Sequence, residues 1–295
     1  MFEGPVACNK PTHMSTSLLR AAIAYDFDGT LVPGNMQEHS FIPKLGISKE
    51  LFWAEANKMA KEHDMDEILA YMQLMLRKSN EQGIPIHRDD FIGYGRDIRF
   101  FPGVEDYFDH INTYAINQGI ALDHHIISSG LREFISGTSI AHHFRNIFAS
   151  GFKYNGVGVA EWAALAINYT NKTQYLFRIN KGIDNAYDNT LINKSMPEEN
   201  RPVPFSRMIY IGDGETDVPA MKMLKYQGGA TIAVYNQDGK SNPGRPSPKQ
   251  LCEELIRQGR VDYIAPASYT ENSKLVKTVK LLIDRIRIDE ALKKE

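Results

Sequence analysis

Cysteine is almost missing from this chain: Cys8 and Cys252 are the only two in 295 residues. They have no metal-ligand spacing and form no framework that could staple a secreted fold, so a reducing, cytoplasmic setting is expected. Long hydrophobic runs are missing as well. Nothing approaches the ~20 apolar residues needed to cross a bilayer, and no membrane partner is expected. Residues 1–17 are small and polar, with Gly4, Pro5 and Pro11, and lack the apolar stretch of a signal peptide. Residues 1–18 therefore read as a flexible tail. There is also no excess of one charge. The formal net charge of −2 argues against a general attraction to nucleic acid or anionic lipid, while a local basic pocket stays open.

What is present is ordinary globular material. With 42% hydrophobic and 24% charged residues, a chain of this length can bury a sizeable core without metals or disulfides. Residues 19–25 form a short apolar run that stops at Asp26, as a buried strand would, and Asp28-Gly29-Thr30 supplies the turn that ends it. Residues 35–100 differ. Ile68, Leu69, Met72, Met75 and Leu76 recur at helical spacing, and Ser48 ahead of Leu51 and Phe52 marks a helix start. Alternation of strand and helix then resumes. A helix is expected over residues 104–117, a strand over 123–127, a helix near 131–136 and a strand over 145–150. A β-hairpin is expected within 152–179 and a helix near 182–193, followed by a strand over 208–211, a helix over 217–225, strands at 230–235 and 262–264, and a closing helix over 273–288. Such alternation implies an α/β fold with a parallel sheet covered on both faces. Residues 238–248 form a Gly/Ser/Pro/Lys loop.

Two acidic clusters stand at the carboxyl ends of expected strands, where open α/β sheets place their ligands. They are Asp26-Phe27-Asp28-Gly29-Thr30 and Gly212-Asp213-Gly214-Glu215-Thr216-Asp217. Carboxylates gathered at one site repel unless a cation offsets them, and Mg2+ is the usual ion beside phosphate. In an extended chain Asp26 and Asp28 face one side. One could then attack phosphorus while its neighbour handles the proton, first giving it to the leaving alkoxide and then taking one from water. Two simpler motif readings fail. An EF-hand loop needs Gly at its sixth position and a carboxylate at its twelfth, where this chain has Leu31 and Gln37. A dinucleotide fingerprint needs its third glycine where Asp217 stands, and a carboxylate there would repel a pyrophosphate.

Tyr25-Asp26-Phe27-Asp28-Gly29-Thr30-Leu31, Ile126-Ile127-Ser128-Ser129-Gly130 and Ile211-Gly212-Asp213-Gly214-Glu215-Thr216-Asp217 together resemble the haloacid dehalogenase (HAD) superfamily, with the motifs in the family's order. Phe101-Pro102-Gly103-Val104 is similar to the return from the cap in the phosphoserine-phosphatase-like branch. The resemblance implies a Rossmann-like core, residues 19–34 and 101–295, with a helical cap inserted over 35–100 and a hinge near Pro33-Gly34. It implies a Mg2+-dependent phosphatase acting on a small phosphorylated substrate, with Asp26 as nucleophile and Asp28 as acid and base. Asp26, the backbone carbonyl of Asp28, Asp213 and Asp217 would hold the metal. Ser128, or alternatively Ser129, would bind phosphate. Lys181 would be the motif lysine, with Lys172 as second choice.

Several other features carry less. The methionines Met59, Met65, Met72 and Met75 read as core rather than as a malleable pocket. Arg96 and Arg99 read as surface, and Trp53 and Trp162 as packing. The pairs His124-His125 and His142-His143 point in different directions, so a shared ion is not expected. Two further functions fit the same motifs. One is phosphotransfer to another hydroxyl, as in mutases. The other is a non-catalytic phosphate-ligand sensor or assembly partner, which the retained Asp26, Asp28 and Asp213 disfavour. Oligomeric state is not legible.

Overall fold

The computed structural model describes residues 18–214, 216–239 and 246–293. The tail up to residue 17, Cys8 within it, Glu215 and residues 240–245 of the expected loop lie outside the described residues.

Strand β1 (Leu19–Tyr25) is followed by a 3-10 turn and four helices, α1 (Phe41–Lys44), α2 (Lys49–His63), α3 (Glu67–Glu81) and α4 (Arg88–Gly95). The chain then runs through α5 (Val104–Asn117), β2 (Ile120–Leu131), α6 (Arg132–Ser136), β3 (Phe144–Tyr154), β4 (Ala160–Leu165), α7 (Lys172–Lys181) and α8 (Asn189–Asn193). It ends with β5 (Met208–Gly212), α9 (Val218–Tyr226), β6 (Ala230–Tyr235), α10 (Pro248–Arg257), β7 (Tyr263–Pro266) and α11 (Lys274–Leu292). No helix among the described residues is long and apolar enough to cross a membrane.

One seven-stranded sheet has the order β4-β3-β2-β1-β5-β6-β7, parallel throughout except for the β3–β4 hairpin. The fold is the Rossmann-like α/β arrangement that the sequence implied. Alternation along the strands sorts the core into two layers. Ala21, Ile23 and Tyr25 of β1 and Ile209 and Ile211 of β5 face one hydrophobic cluster. Ala22, Ala24, Met208 and Tyr210 face the other. From β1 the chain winds outward to β2 and β3, then returns to the other flank through β5, β6 and β7. The order reverses between β1 and β5, which creates the crevice that open α/β sheets use for ligands.

The helical segment does not stand apart from this core. Phe41, Phe52, Tyr71, Met72, Met75 and Phe91 belong to the same buried cluster as Ile23 and Tyr25. The Phe91 and Phe134 rings lie 4.9 Å apart, and the backbones of α4 and α6 meet so closely that a Cβ on Gly95 would strike the Phe134 carbonyl. Met59, Met72 and Met75 are buried there and Met65 packs against them, as a core stripe should.

Three local expectations are corrected. The hairpin exists as β3 and β4, but residues 172–181 form α7 instead of continuing it. Tyr175, Leu176 and Ile179, all buried, repeat at helical spacing. The helix expected near 182–193 starts late, because Gly182 is the left-handed C-cap of α7 (φ 68°), and only α8 remains of it. Trp162 is not packing: it lies 71% exposed on the edge strand β4.

His124 and His125 sit buried inside the fold. His124 bonds Tyr25 Oη at 3.0 Å through Nδ1 and Asn112 Oδ1 at 3.0 Å through Nε2. Burial pushes its pKa down to about 3, and that of His125 down to about 4. Both are neutral in the folded protein, whereas the unfolded chain protonates them near pH 6.5. Stability is therefore complete above that pH and falls on acidification between about 6.5 and 4, by ~1.4 kcal/mol per pH unit for each histidine. Urea unfolding of His124→Gln should show a pH slope shallower by about one proton than wild type, and equal slopes would rule out this titration.

Candidate active site

The reversal point brings the two acidic segments together. Tyr25 pairs in register with Ile211, and the Asp26 amide donates to the Ile211 carbonyl at 2.9 Å. Asp26 and Asp213 thus emerge side by side from neighbouring strands. Gly29 makes the approach possible. It adopts φ 72°, and a Cβ there would lie 2.5 Å from Asp213 Oδ2.

One oxygen from each of Asp26, Asp213 and Asp217 lies within 4.8 Å of the others, close enough to share a cation. Lys172 closes this group from below. Its ammonium is fully buried and lies 2.9 Å from Asp26 Oδ2, 2.7 Å from Asp217 Oδ1 and 3.2 Å from Thr216 Oγ1. Tyr210 donates a further hydrogen bond of 2.7 Å to Asp217 Oδ1. Burial alone would lower the Lys172 pKa, but Asp217 and Asp26 more than offset it and hold the ammonium charged. Burial pushes Asp26 up to about 6; Lys172 pulls the other way and Asp217 adds to the rise. Asp217 Oδ2 is buried and has no hydrogen-bond partner among the described residues. An orphaned carboxylate oxygen in a triad of oxygen donors fits a hard divalent ion.

Asp28 stands apart from that triad. Its carboxylate accepts a 2.9 Å hydrogen bond from the Met36 amide and opens on the adjoining cavity. Burial, and next the charge of Asp26, raise its pKa well above the usual carboxylate range. Ser128 is buried, lines the same cavity, and accepts from the Gly130 amide at 3.0 Å. Ser129 also lines it, with an Oγ that has no hydrogen-bond partner among the described residues.

Lys181 is not in the site. It ends α7, at the opposite end from Lys172, and its ammonium donates to the carbonyls of Ile192 (2.6 Å) and Lys194 (2.7 Å) at the end of α8. Because Lys172 opens α7 and Lys181 ends it, only the first can face the acidic group.

The cavity above these residues has a volume of about 690 Å³ and is walled jointly by the core and the helical segment. Trp53 packs on Tyr71, as expected, and it also lines this cavity and donates to Glu38 Oε1 at 2.9 Å. Gln37, Lys61, Glu67, Tyr71 and Tyr169 line it too, and none of them was singled out from sequence. Gln37 is buried, with an amide oxygen that has no hydrogen-bond partner among the described residues. Arg96 and Arg99 are exposed and take no part.

A switch-point crevice lined by aspartates and served by a buried lysine thus stands on a Rossmann-like α/β core, the fold of HAD family hydrolases. The chain belongs to the family described as "Putative Phosphatase", which matches residues 21–233. It is 28% identical over 281 residues to an uncharacterized protein of Borreliella burgdorferi, covering 86% of this chain and 93% of that one. Among solved structures it is similar to a HAD family hydrolase from Salmonella enterica serovar Typhi, with TM-score 0.54 and 16% identity over 90% of this chain and 72% of that one. It is also similar to a phospho-aspartyl intermediate analogue of phosphoserine phosphatase, with TM-score 0.52 and 14% identity over 89% and 98%. At such identities the two structures bear on fold alone.

The acidic triad makes a binding prediction independent of any substrate. Millimolar Mg2+ should raise the melting temperature by a few degrees, since an ion that binds only the folded state stabilises it by mass action. Asp213→Asn should lose that increment, and an equal increment in the variant would place the ion elsewhere.

Proposed function

We propose that this protein is a Mg2+-dependent phosphatase that hydrolyses a small phosphomonoester through an aspartyl phosphate on Asp26. The observation that carries the proposal is the Lys172 ammonium buried between Asp217 and Asp26, the second of which lines a polar cavity together with Asp28. Asp26, Asp213 and Asp217, with the Asp28 backbone carbonyl, would hold Mg2+, whose charge neutralises phosphate oxygens.

The chain's own groups supply the rest. The Asp26 carboxylate attacks phosphorus, and the ester P–O bond breaks. Asp28, whose pKa burial raises, donates a proton to the departing alkoxide oxygen. Left as a carboxylate, it then takes a proton from the water that attacks the aspartyl phosphate, breaking the bond to Asp26 and releasing inorganic phosphate. Lys172 keeps Asp26 oriented and balances the charge gathered around phosphorus. The Ser128 hydroxyl and the amides at the end of β2 serve the phosphate oxygens, with Ser129 as neighbour. The helical segment, residues 35–100, acts as the cap: it walls the cavity, excludes water and selects the leaving group. The open amide oxygen of Gln37 and the Lys61 and Glu67 side chains in the wall favour a polar leaving group over an apolar one.

Release of nitrophenol from p-nitrophenyl phosphate tests this reading. Wild type with Mg2+ should be active, and chelation should abolish the activity. Asp26→Asn should lose at least about a thousandfold in kcat. Lys172→Met should fall by a similar factor and lose ~3–5 kcal/mol of stability, because two buried carboxylates are left uncompensated. Lys181→Met should keep its activity within about twofold, since only helix-end carbonyls lose a partner. Equal losses in the two lysine variants, or an active Asp26→Asn, would refute the assignment.

A further inference from the structure

Two polar contacts join the helical insert to the core at a single corner. Asn168 Nδ2 donates to Asp66 Oδ2 at 2.7 Å, and the Tyr169 hydroxyl donates to Glu67 Oε2 at 2.7 Å. The core partners belong to the short segment that ends at Lys172. The insert partners form the start of α3, where Asp66 is the N-cap and its other oxygen accepts from the Ile68 and Leu69 amides at 2.9 and 3.1 Å.

The segment is built so that Asn168 governs Lys172. The Lys172 amide, first in α7, donates to the Asn168 carbonyl at 3.2 Å. The Asn168 side-chain oxygen accepts from the Thr170 amide at 3.2 Å and the Asn171 amide at 3.0 Å. Asn171 returns the contact: its side-chain oxygen accepts from the Asn168 amide at 2.8 Å, and its side-chain nitrogen donates to the Ala166 carbonyl at 2.9 Å. A shift of Asn168 is thus passed by hydrogen bonds to the backbone of Lys172, whose ammonium has no freedom of its own between Asp26 and Asp217. The same helix α3 reaches the opposite side of the site, where the Tyr71 hydroxyl donates to the Ser129 carbonyl at 2.8 Å.

We propose that Asp66 and Asn168 are positioning residues: docking of the insert through this pair sets the placement of Lys172. The proposal rests on the phosphatase reading above and adds to it a link between the cavity wall and the charged floor. Glu67 and Tyr169 line the cavity, so an occupant rests against the same corner. An interaction with the leaving group would govern binding of particular substrates. A seat for Lys172 governs the chemical step for all of them.

A reciprocal exchange tests it. Asp66→Asn keeps the N-cap, because asparagine caps as well as aspartate, but sets amide against amide at residue 168. Asn168→Asp sets carboxylate against carboxylate. Together the two restore a complementary pair with its donor reversed. Each single variant should lose about tenfold in kcat on p-nitrophenyl phosphate with KM within about twofold, and the double variant should recover to within about threefold of wild type. Hydrogen exchange of the peptide covering residues 166–176 should quicken in each single variant and slow again in the double.

Unchanged exchange in both single variants would overturn the proposal, as would a raised KM at constant kcat or a double variant no better than its parents. A wild type without activity would fail the phosphatase reading instead, and the exchange pattern would still decide whether Asp66 seats the lysine segment.

Discussion

A single buried ammonium group holds this site together. Lys172 is fully buried, and it lies there because two carboxylates, Asp26 and Asp217, meet it at hydrogen-bonding distance. Neither side of the arrangement is stable alone. An isolated buried lysine would shed its proton, and two buried carboxylates without it would gain one. The pair of contacts fixes the Asp26 side chain from below and leaves its upper side to the cavity. It also sets how much charge a cation above must balance.

The sheet order is what allows that convergence. Parallel strands β1 and β5 end together at the point where winding reverses, so residues 187 positions apart in sequence leave the sheet side by side. The crevice would be open to solvent without the insert. Instead the insert shares the hydrophobic cluster on one face of the sheet, through Phe52, Met72 and Phe91, and roofs the crevice with polar side chains. Apolar packing holds the insert in place. Its polar rim is then free to read a ligand, a division common to α/β enzymes with walled pockets.

How much of this the sequence revealed follows from the range of each interaction. Strand β1 was legible because an apolar run met an aspartate-rich turn, and its bounds match residue for residue. The aspartates were legible because their spacing within each segment is local. Lys172 was not, although the helical repeat of Tyr175, Leu176 and Ile179 could have revealed α7. The Val, Tyr and Thr of the preceding stretch favour strand, and tertiary contact overrode that preference. A lysine carries no local signature at all: Lys172 and Lys181 occupy opposite ends of one helix, and only the fold distinguishes them. Gln37, Glu67, Tyr71 and Tyr169 were invisible for the same reason, since each takes its place through packing of the insert against the core. The exposed Trp162 shows the converse, a large apolar residue that no core claimed.

A covalent bond between phosphorus and Asp26 is the defining step of the proposed reaction. Acid quenching of the wild-type protein during turnover of p-nitrophenyl phosphate, followed by mass spectrometry of its peptides, looks for that bond directly. The expected result is one phosphoryl group on the peptide containing Asp26, present only with Mg2+ and absent from Asp26→Asn. Turnover with the adduct on another residue, or with no adduct under conditions that preserve acyl phosphates, would contradict it.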